Sequence, residues 1–211
     1  MNPTYFDLPL AKQKNLINAG YKIFAFYPYK KASMAEIAGE GNISKSLLFY
    51  YFKNKREYYL FLFDTAIEFT NEQKSESLQG KQYDFFELAS QTVERRLKML
   101  HDYPYLYKFI AKAYYEPFEE IKLELDKKKK IMTQNGKEEI LKLVNYNKFK
   151  SKSDVKILLN IILYMAEGCM RGREDLDIVK IQEIITEYKG MMESLKSHYY
   201  KKEYLTNQKE D

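Results

Sequence analysis

The sequence predicts an all-α protein with a small N-terminal module and a larger C-terminal helical body. Apolar residues recur at spacings of three and four along most of the chain, and no run alternates as a β-strand would. Glycine and proline number only 8 and 5 in 211 residues, too few for a turn-rich β-sandwich. Residues 1–63 contain nine Lys/Arg and four Asp/Glu, whereas the remainder is neutral. A basic module joined to a neutral body indicates a polyanion as the partner of the module.

Start and stop signals mark the first four helices. A helical stripe at residues 16–27 ends near Pro28, because the residue before a proline is pushed out of the α region. A short helix then follows Ser33, which forms a capping-box pattern with Glu36. The remaining signals are the interruption at residues 39–42 and two further capping residues, Ser44 and Asn54.

Residues 33–55 have the pattern of a helix-turn-helix. The turn contains Asn42, a residue type that tolerates the left-handed backbone conformation of tight turns. The second helix of such a motif enters the major groove of DNA, and its outward positions here carry hydroxyl and ammonium groups. A helical hairpin with its aromatic residues in a core is the alternative. The expected core of the motif consists of Ile37, Ala38, Ile43, Leu48 and Phe52.

Five further helices are expected after residue 80. The first of them stops before Pro104, and the third begins at Pro117, since proline suits the first turn of a helix. The sequence leaves open whether Asn135 and Gly136 divide that third helix in two. The expected ranges are roughly 83–101, 106–115, 117–145, 155–172 and 176–200.

The last two of these helices carry apolar stripes that suit a symmetric dimer. In the final helix, residues from Ile178 to Tyr199 are spaced three and four apart over three heptads, and a similar stripe runs from Val155 to Cys169. Pairing both helices with those of a second copy gives a four-helix bundle, whereas the alternative is that both stripes face the chain's own core. The predicted dimer-interface residues are Leu158, Ile162, Ile181, Ile185, Tyr188 and Met192.

The residues that carry most enzyme chemistry are scarce. One cysteine cannot form a disulfide framework or a thiolate cluster within the chain, and His101 and His198 share no metal-ligand spacing. We find no nucleophile–base pair and no glycine-rich phosphate loop. The sequence therefore predicts a protein that is not an enzyme and that needs no cofactor or metal. A helical-bundle small-molecule enzyme, or a binding protein without DNA activity, is the alternative function.

The sequence also predicts a cytoplasmic protein without a membrane partner. The longest charge-free apolar run spans residues 157–166, half of the roughly 20 residues that a spanning helix requires. The N-terminus has no basic and apolar leader pattern, and the single cysteine suits a reducing compartment. A membrane-surface anchor in the basic segment is the alternative, but such an anchor needs one continuous amphipathic helix.

Three segments of the N-terminal module resemble the DNA-binding domain of tetracycline-repressor (TetR) family regulators. They are Ser33-Met34-Ala35-Glu36-Ile37-Ala38, Ile43-Ser44-Lys45 and Leu48-Phe49-Tyr50-Tyr51-Phe52-Lys53-Asn54-Lys55. The resemblance covers about residues 10–65. It implies a DNA-binding domain at residues 1–54 and an effector-binding and dimerisation domain at residues 55–211. The side chains that it implies to face bases are Lys45, Ser46, Phe49 and Tyr50, and those implied to contact phosphates are Ser33, Tyr51 and Lys55.

The resemblance implies a ligand-responsive regulator, most often a repressor that binds a double-stranded DNA operator as a homodimer. The dimer would place its two recognition helices in successive major grooves of a palindrome, roughly 34–36 Å apart. A small-molecule effector would release the operator if it binds the two conformers of the dimer with different affinity. Aromatic residues in the middle of the chain suit an apolar pocket, although they also suit a core. The candidate pocket residues are Tyr107, Phe109, Tyr114, Phe118 and Met165.

Overall fold

The computed structural model describes residues 1–71, 82–170 and 178–205, which form nine α-helices and three short 3₁₀ segments. The predicted all-α fold is confirmed. Among the described residues, no helix is both long and apolar enough to cross a bilayer. The helices are α1 (Leu10–Phe26), α2 (Met34–Glu40), α3 (Lys45–Tyr51), α4 (Lys55–Asn71), α5 (Phe85–Asp102), α6 (Leu106–Tyr114), α7 (Glu119–Leu143), α8 (Asp154–Met170) and α9 (Ile178–Tyr199). The 3₁₀ segments are Pro3–Tyr5, Tyr146–Lys148 and Lys202–Tyr204.

The capping residues predicted for the helix-turn-helix begin its helices as expected. The hydroxyl of Ser33 accepts a hydrogen bond from the backbone N–H of Ala35, and that of Ser44 accepts one from Leu47 at 3.1 Å. Each bond satisfies one of the free donors at a helix start. Asn42 has a φ of 54°, so the left-handed turn between α2 and α3 is confirmed.

α7 is a single helix that continues through residues 135 and 136. An isolated glycine costs a helix about 1 kcal/mol, which the long flanking segments of α7 offset. A Cβ atom at Gly136 would meet no described atom within 4 Å, so the glycine is not required by packing. The question that the sequence left open is therefore answered in favour of one helix.

The chain folds as two compact units, of which the first comprises Met1–Gln73 and Lys98–Lys130. In this unit α1 packs against α2, α4 and α6. The ring centroid of Phe24 lies 4.7 Å from that of Tyr59 and 6.3 Å from that of Phe109. A Cβ on Gly20 would lie 2.5 Å from the hydroxyl oxygen of Tyr58, so this glycine permits the close approach of α1 and α4. The unit places the helix-turn-helix on an aromatic core.

The second unit comprises Lys74–Leu97 and Ile131–Asp211. Its core contains Phe85, Phe149 and Tyr200, and the Tyr200 hydroxyl accepts a hydrogen bond from the backbone N–H of Phe85 at 3.1 Å. α8 and α9 pack against each other in this unit. The sequence predicts a boundary after residue 54 between a DNA-binding domain and an effector-binding domain. Because that boundary divides the chain by function and the two units divide it by packing, it stays a prediction.

Candidate nucleic-acid interface

The recognition helix α3 has one buried and one exposed face. Leu48 and Tyr51 lie on the buried face, with Leu48 fully enclosed and Tyr51 only 7% exposed. Ser46, Phe49 and Tyr50 share the opposite face, because residues three and four apart lie on the same side of a helix. Lys45 is also exposed, and its ammonium lies 5.9 Å from the centroid of the Phe49 ring. All four side chains predicted to face bases are therefore exposed on α3.

An N-terminal segment that sequence reasoning did not assign supports the end of α3. The backbone N–H of Asn2 donates to the carbonyl oxygen of Tyr51 at 2.8 Å. Tyr5 is 1% exposed, and its ring centroid lies 5.0 Å from that of Phe52 and 5.2 Å from that of Phe61. No periodic pattern includes Tyr5, so the sequence carried no signal for its position beneath α3.

Exposed lysines without an ion-pair partner among the described residues occur on α3, just after it, and in the segment before α2. Lys31, Lys45 and Lys53 are exposed and form no ion pair with the residues that the structure describes. By contrast, Lys22 pairs with Glu40 at 2.8 Å, which neutralises a positive charge on α1. Lysines without a carboxylate partner retain their full attraction for a polyanion.

The three side chains predicted to contact phosphates make different interactions in the free protein. The hydroxyl of Ser33 caps α2, and Tyr51 is almost completely buried. The ammonium of Lys55 donates to the carbonyl oxygens of Lys30 and Ala32 at 3.3 and 3.1 Å. It also lies 4.7 Å from the centroid of the Tyr29 ring. Lys55 therefore holds the connection between α1 and α2, and its phosphate contact stays a prediction.

Acidic residues around the start of α7 also bind the connection between α1 and α2. Glu116 is 8% exposed and accepts a hydrogen bond from the backbone N–H of Tyr29 at 3.2 Å. The Tyr29 hydroxyl donates to Glu120 at 3.1 Å, and burial followed by this hydrogen bond raises the pKa of the Tyr29 hydroxyl. Arg56 donates to the carbonyl oxygen of Glu120 and pairs with Glu124. We call Tyr29, Arg56, Glu116, Glu120 and Glu124 the connection cluster.

The candidate effector residues fall in both units. Phe109 is fully buried in the first unit, with its ring centroid 5.0 Å from that of Tyr21. Phe118 lies 5.4 Å from Tyr29, ring centroid to ring centroid, and is half-buried. Three candidates are half-buried elsewhere, Tyr107 and Tyr114 in the first unit and Met165 in the second. Their role in a pocket stays a prediction.

The candidate dimer residues lie mainly inside the second unit. Leu158, Ile162 and Met192 belong to its core. Ile181 is also buried, whereas Ile185 and Tyr188 are half-buried. Two exposed apolar side chains of α8 lie outside the stripe that the heptad pattern selected. They are Ile157 and Tyr164, which are 56% and 69% exposed.

The described residues contain no group of three or more His, Cys, Asp or Glu side chains that would hold a metal ion. The thiol of Cys169 is buried.

Comparison with known proteins assigns a family to the segment that contains the first helices. Residues 16–60 match the family of bacterial regulatory proteins called the tetR family. This segment contains most of α1, the whole of α2 and α3, and the start of α4. A search of curated protein sequences finds no match to the chain.

Solved structures share the fold over nearly the whole chain. MexZ, a repressor responsible for antibiotic resistance in Pseudomonas aeruginosa, is 14% identical with a TM-score of 0.66, covering 93% of this chain and 98% of MexZ. The fatty acid degradation regulator FadR of Bacillus halodurans is 15% identical with a TM-score of 0.63, covering 91% and 95%. A TetR family regulator of Chloroflexus aurantiacus is 16% identical with a TM-score of 0.58, covering 95% and 99%. The chain therefore carries the helix-turn-helix domain of the tetR family at residues 16–60, and it is a DNA-binding transcriptional regulator.

Proposed function

We propose that the chain is a cytoplasmic repressor that binds a palindromic operator as a homodimer and releases it when a small molecule binds. The observation that supports this proposal best is the exposed face of α3, where Lys45, Ser46, Phe49 and Tyr50 have no protein core to cover them. A recognition helix needs such a face, because sequence is read by side chains that reach base edges in the major groove.

The DNA part of the proposal is tested by selection from random duplexes at moderate salt. We expect a palindrome with half-sites about one helical turn apart. Lys45→Met should weaken binding to that palindrome, whereas Lys127→Met removes the same charge from an exposed position on α7 and should not. Equal behaviour of the two variants, or no enrichment of any sequence, would count against the proposed interface.

The dimer part rests on the exposed edge of α8. Ile157, Ile161 and Tyr164 are spaced four and three residues apart, so they lie along one side of the helix. Ile157 and Tyr164 are more than half exposed in the single chain, which leaves apolar area that a second copy would bury. We propose that this edge, together with the half-buried Ile185 and Tyr188 of α9, meets its symmetry mate in a four-helix bundle.

Sedimentation equilibrium of charged variants tests this interface. Tyr164→Lys should convert the dimer to a monomer, because an ammonium in an apolar interface loses its hydration. Leu123→Lys is the matched control, since Leu123 on α7 is 69% exposed, as is Tyr164. A Tyr164→Lys protein that remains dimeric would place the interface elsewhere.

Effector release requires a physical link between ligand occupancy and the DNA-binding helices. The connection cluster supplies a candidate link, because Glu116 and Glu120 bind Tyr29 at the start of the segment that leads into α2. Arg56 at the start of α4 is bound to the same stretch of α7. We propose that an effector bound in the first unit, beside Tyr107, Tyr114 and Phe118, shifts this cluster between two arrangements.

The link is tested with a small molecule found by screening for operator release. Tyr29→Phe removes the hydroxyl that binds Glu120 and should reduce the effect of the small molecule on operator affinity. The control is Tyr27→Phe, which removes the hydroxyl of an exposed tyrosine two residues earlier. If both variants respond as the wild type does, the cluster is not the link.

A further inference from the structure

Apart from Lys45, the outward face of α3 lacks the side chains that usually distinguish bases by paired hydrogen bonds. Arginine reads guanine, asparagine and glutamine read adenine, and carboxylates accept from cytosine. The helix is Lys-Ser-Leu-Leu-Phe-Tyr-Tyr, which contains none of these five residue types. Lys45, Ser46 and the hydroxyl of Tyr50 are its only outward hydrogen-bonding groups.

The centre of the same face is apolar. Phe49 is 37% exposed, and it lies one turn from Lys45 and Ser46 on the side of α3 that faces away from the core. Tyr50, the next residue along the chain, is 55% exposed. A phenyl ring has no hydrogen-bonding group, so placing it against an amine or carbonyl of a base edge leaves that group unsatisfied.

The C5 methyl group of thymine is the group in the major groove that interacts favourably with an apolar side chain. We propose that the ring of Phe49 reads a thymine methyl group in each half-site of the operator. Lys53, which is exposed two residues after the end of α3, matches a phosphate that flanks such a base. This inference rests on the proposed function, because it names the base chemistry that the DNA-binding face recognises.

The proximity of Lys45 strengthens the assignment. Its ammonium lies over the Phe49 ring, 5.9 Å from the ring centroid, so a cation adjoins the apolar surface. The pair therefore offers an apolar surface and a cation side by side, and a thymine next to a guanine in the half-site matches both, since lysine contacts the acceptors of guanine.

The test replaces thymines of the selected operator one at a time by deoxyuridine, which removes the methyl group and nothing else. We expect wild-type affinity to fall about fourfold for each methyl group that loses its apolar contact. Phe49→Ala should bind the thymine and deoxyuridine operators equally, and Phe49→Tyr should retain the preference because it keeps the ring. Thermal unfolding of each variant checks that the fold is intact.

The outcomes separate this inference from the function on which it rests. If selection recovers no operator, the proposed function fails and the inference fails with it. If an operator is recovered but every deoxyuridine substitution binds as tightly as thymine, the inference alone is overturned. A thymine preference that persists in Phe49→Ala would also overturn it, because another side chain would then be reading the methyl group.

Discussion

The backbone N–H of Asn2 donates a hydrogen bond to the carbonyl oxygen of Tyr51, the last residue of the recognition helix, across 2.8 Å. Carbonyl groups at the end of a helix have no partner within it, so this bond satisfies one of them. Tyr5 follows three residues later and packs its ring against Phe52 at a centroid distance of 5.0 Å. The N-terminal segment is therefore part of the support of α3.

Tyr5→Ala is expected to lower the free energy of unfolding by about 3–5 kcal/mol, because it leaves a cavity beneath α3. Tyr5→Phe keeps the ring and loses only a long hydrogen bond to Gln13, so its cost should stay below about 1 kcal/mol. Phe6→Ala serves as control, since Phe6 is 58% exposed. Urea denaturation measures all three, and equal costs for Tyr5→Ala and Phe6→Ala would contradict the assigned role of Tyr5.

Substitutions of Ser44 distinguish the contribution of the helix cap to stability from the effect of charge on DNA binding. Ser44→Ala removes the acceptor for the Leu47 N–H and should cost about 1 kcal/mol. Ser44→Asn and Ser44→Asp both restore a cap and should preserve stability. The aspartate additionally places a negative charge at the proposed DNA surface, so Ser44→Asp alone among these two caps should weaken operator binding. Titration of a fluorescent operator distinguishes the two, and equal affinities would show that Ser44 lies away from the DNA.

Two glycines predict opposite effects of the same substitution. Gly20→Ala forces a methyl group against the side chain of Leu62 and to within 2.5 Å of the Tyr58 hydroxyl oxygen. That hydroxyl is fixed by its bond to the Leu16 carbonyl, so we expect a loss of about 1–3 kcal/mol. Gly39→Ala meets no described atom within 4 Å and should stabilise α2 by about 0.5–1 kcal/mol. Thermal unfolding midpoints should move in opposite directions, and a shared sign would refute the close approach at Gly20.

Asp84 gives the second unit a pH-dependent component of stability. Burial alone would raise the pKa of its carboxyl group, but hydrogen bonds from the Lys148 ammonium and the Glu87 N–H lower the pKa overall. A lowered folded-state pKa stabilises the protein above the unfolded pKa of about 3.9, and this contribution disappears as pH falls through the folded-state value.

Asp84→Asn is therefore expected to cost about 1.5–3 kcal/mol at pH 7, since it keeps the helix cap and removes a charged partner of Lys148. The difference from wild type should shrink as the pH is lowered below about 4. Glu203→Gln, at an exposed position, is the control and should show little difference at any pH. A cost for Asp84→Asn that stays constant from pH 7 to pH 3 would exclude the ion pair as its cause.

Local signals in the sequence were sufficient for the helix-turn-helix. Ser33, Ser44 and Asn42 each act on backbone groups within three residues, so their chemistry determines the local geometry directly. This explains why the caps and the turn between α2 and α3 agree with the structure.

Features that depend on distant packing were not predictable in the same way. α8 is apolar on more than one side, so its heptad pattern did not distinguish Leu158, which is buried in its own unit, from Ile157, which is exposed. Likewise, nothing near Lys55 in the sequence indicates that its ammonium binds carbonyl groups more than 20 residues earlier. Tertiary contacts of this kind produce no periodic pattern in the amino-acid sequence.

The most direct measurement compares the operator affinities of the wild type, Tyr50→Ala and Tyr115→Ala at one salt concentration. Tyr50 and Tyr115 are similarly exposed, at 55% and 47%, but only Tyr50 lies on α3. We expect Tyr50→Ala to weaken binding about tenfold or more, as the loss of a base contact does, and Tyr115→Ala to change it less than twofold. Equal affinities for all three proteins, with each folded and dimeric, would show that α3 does not read the operator.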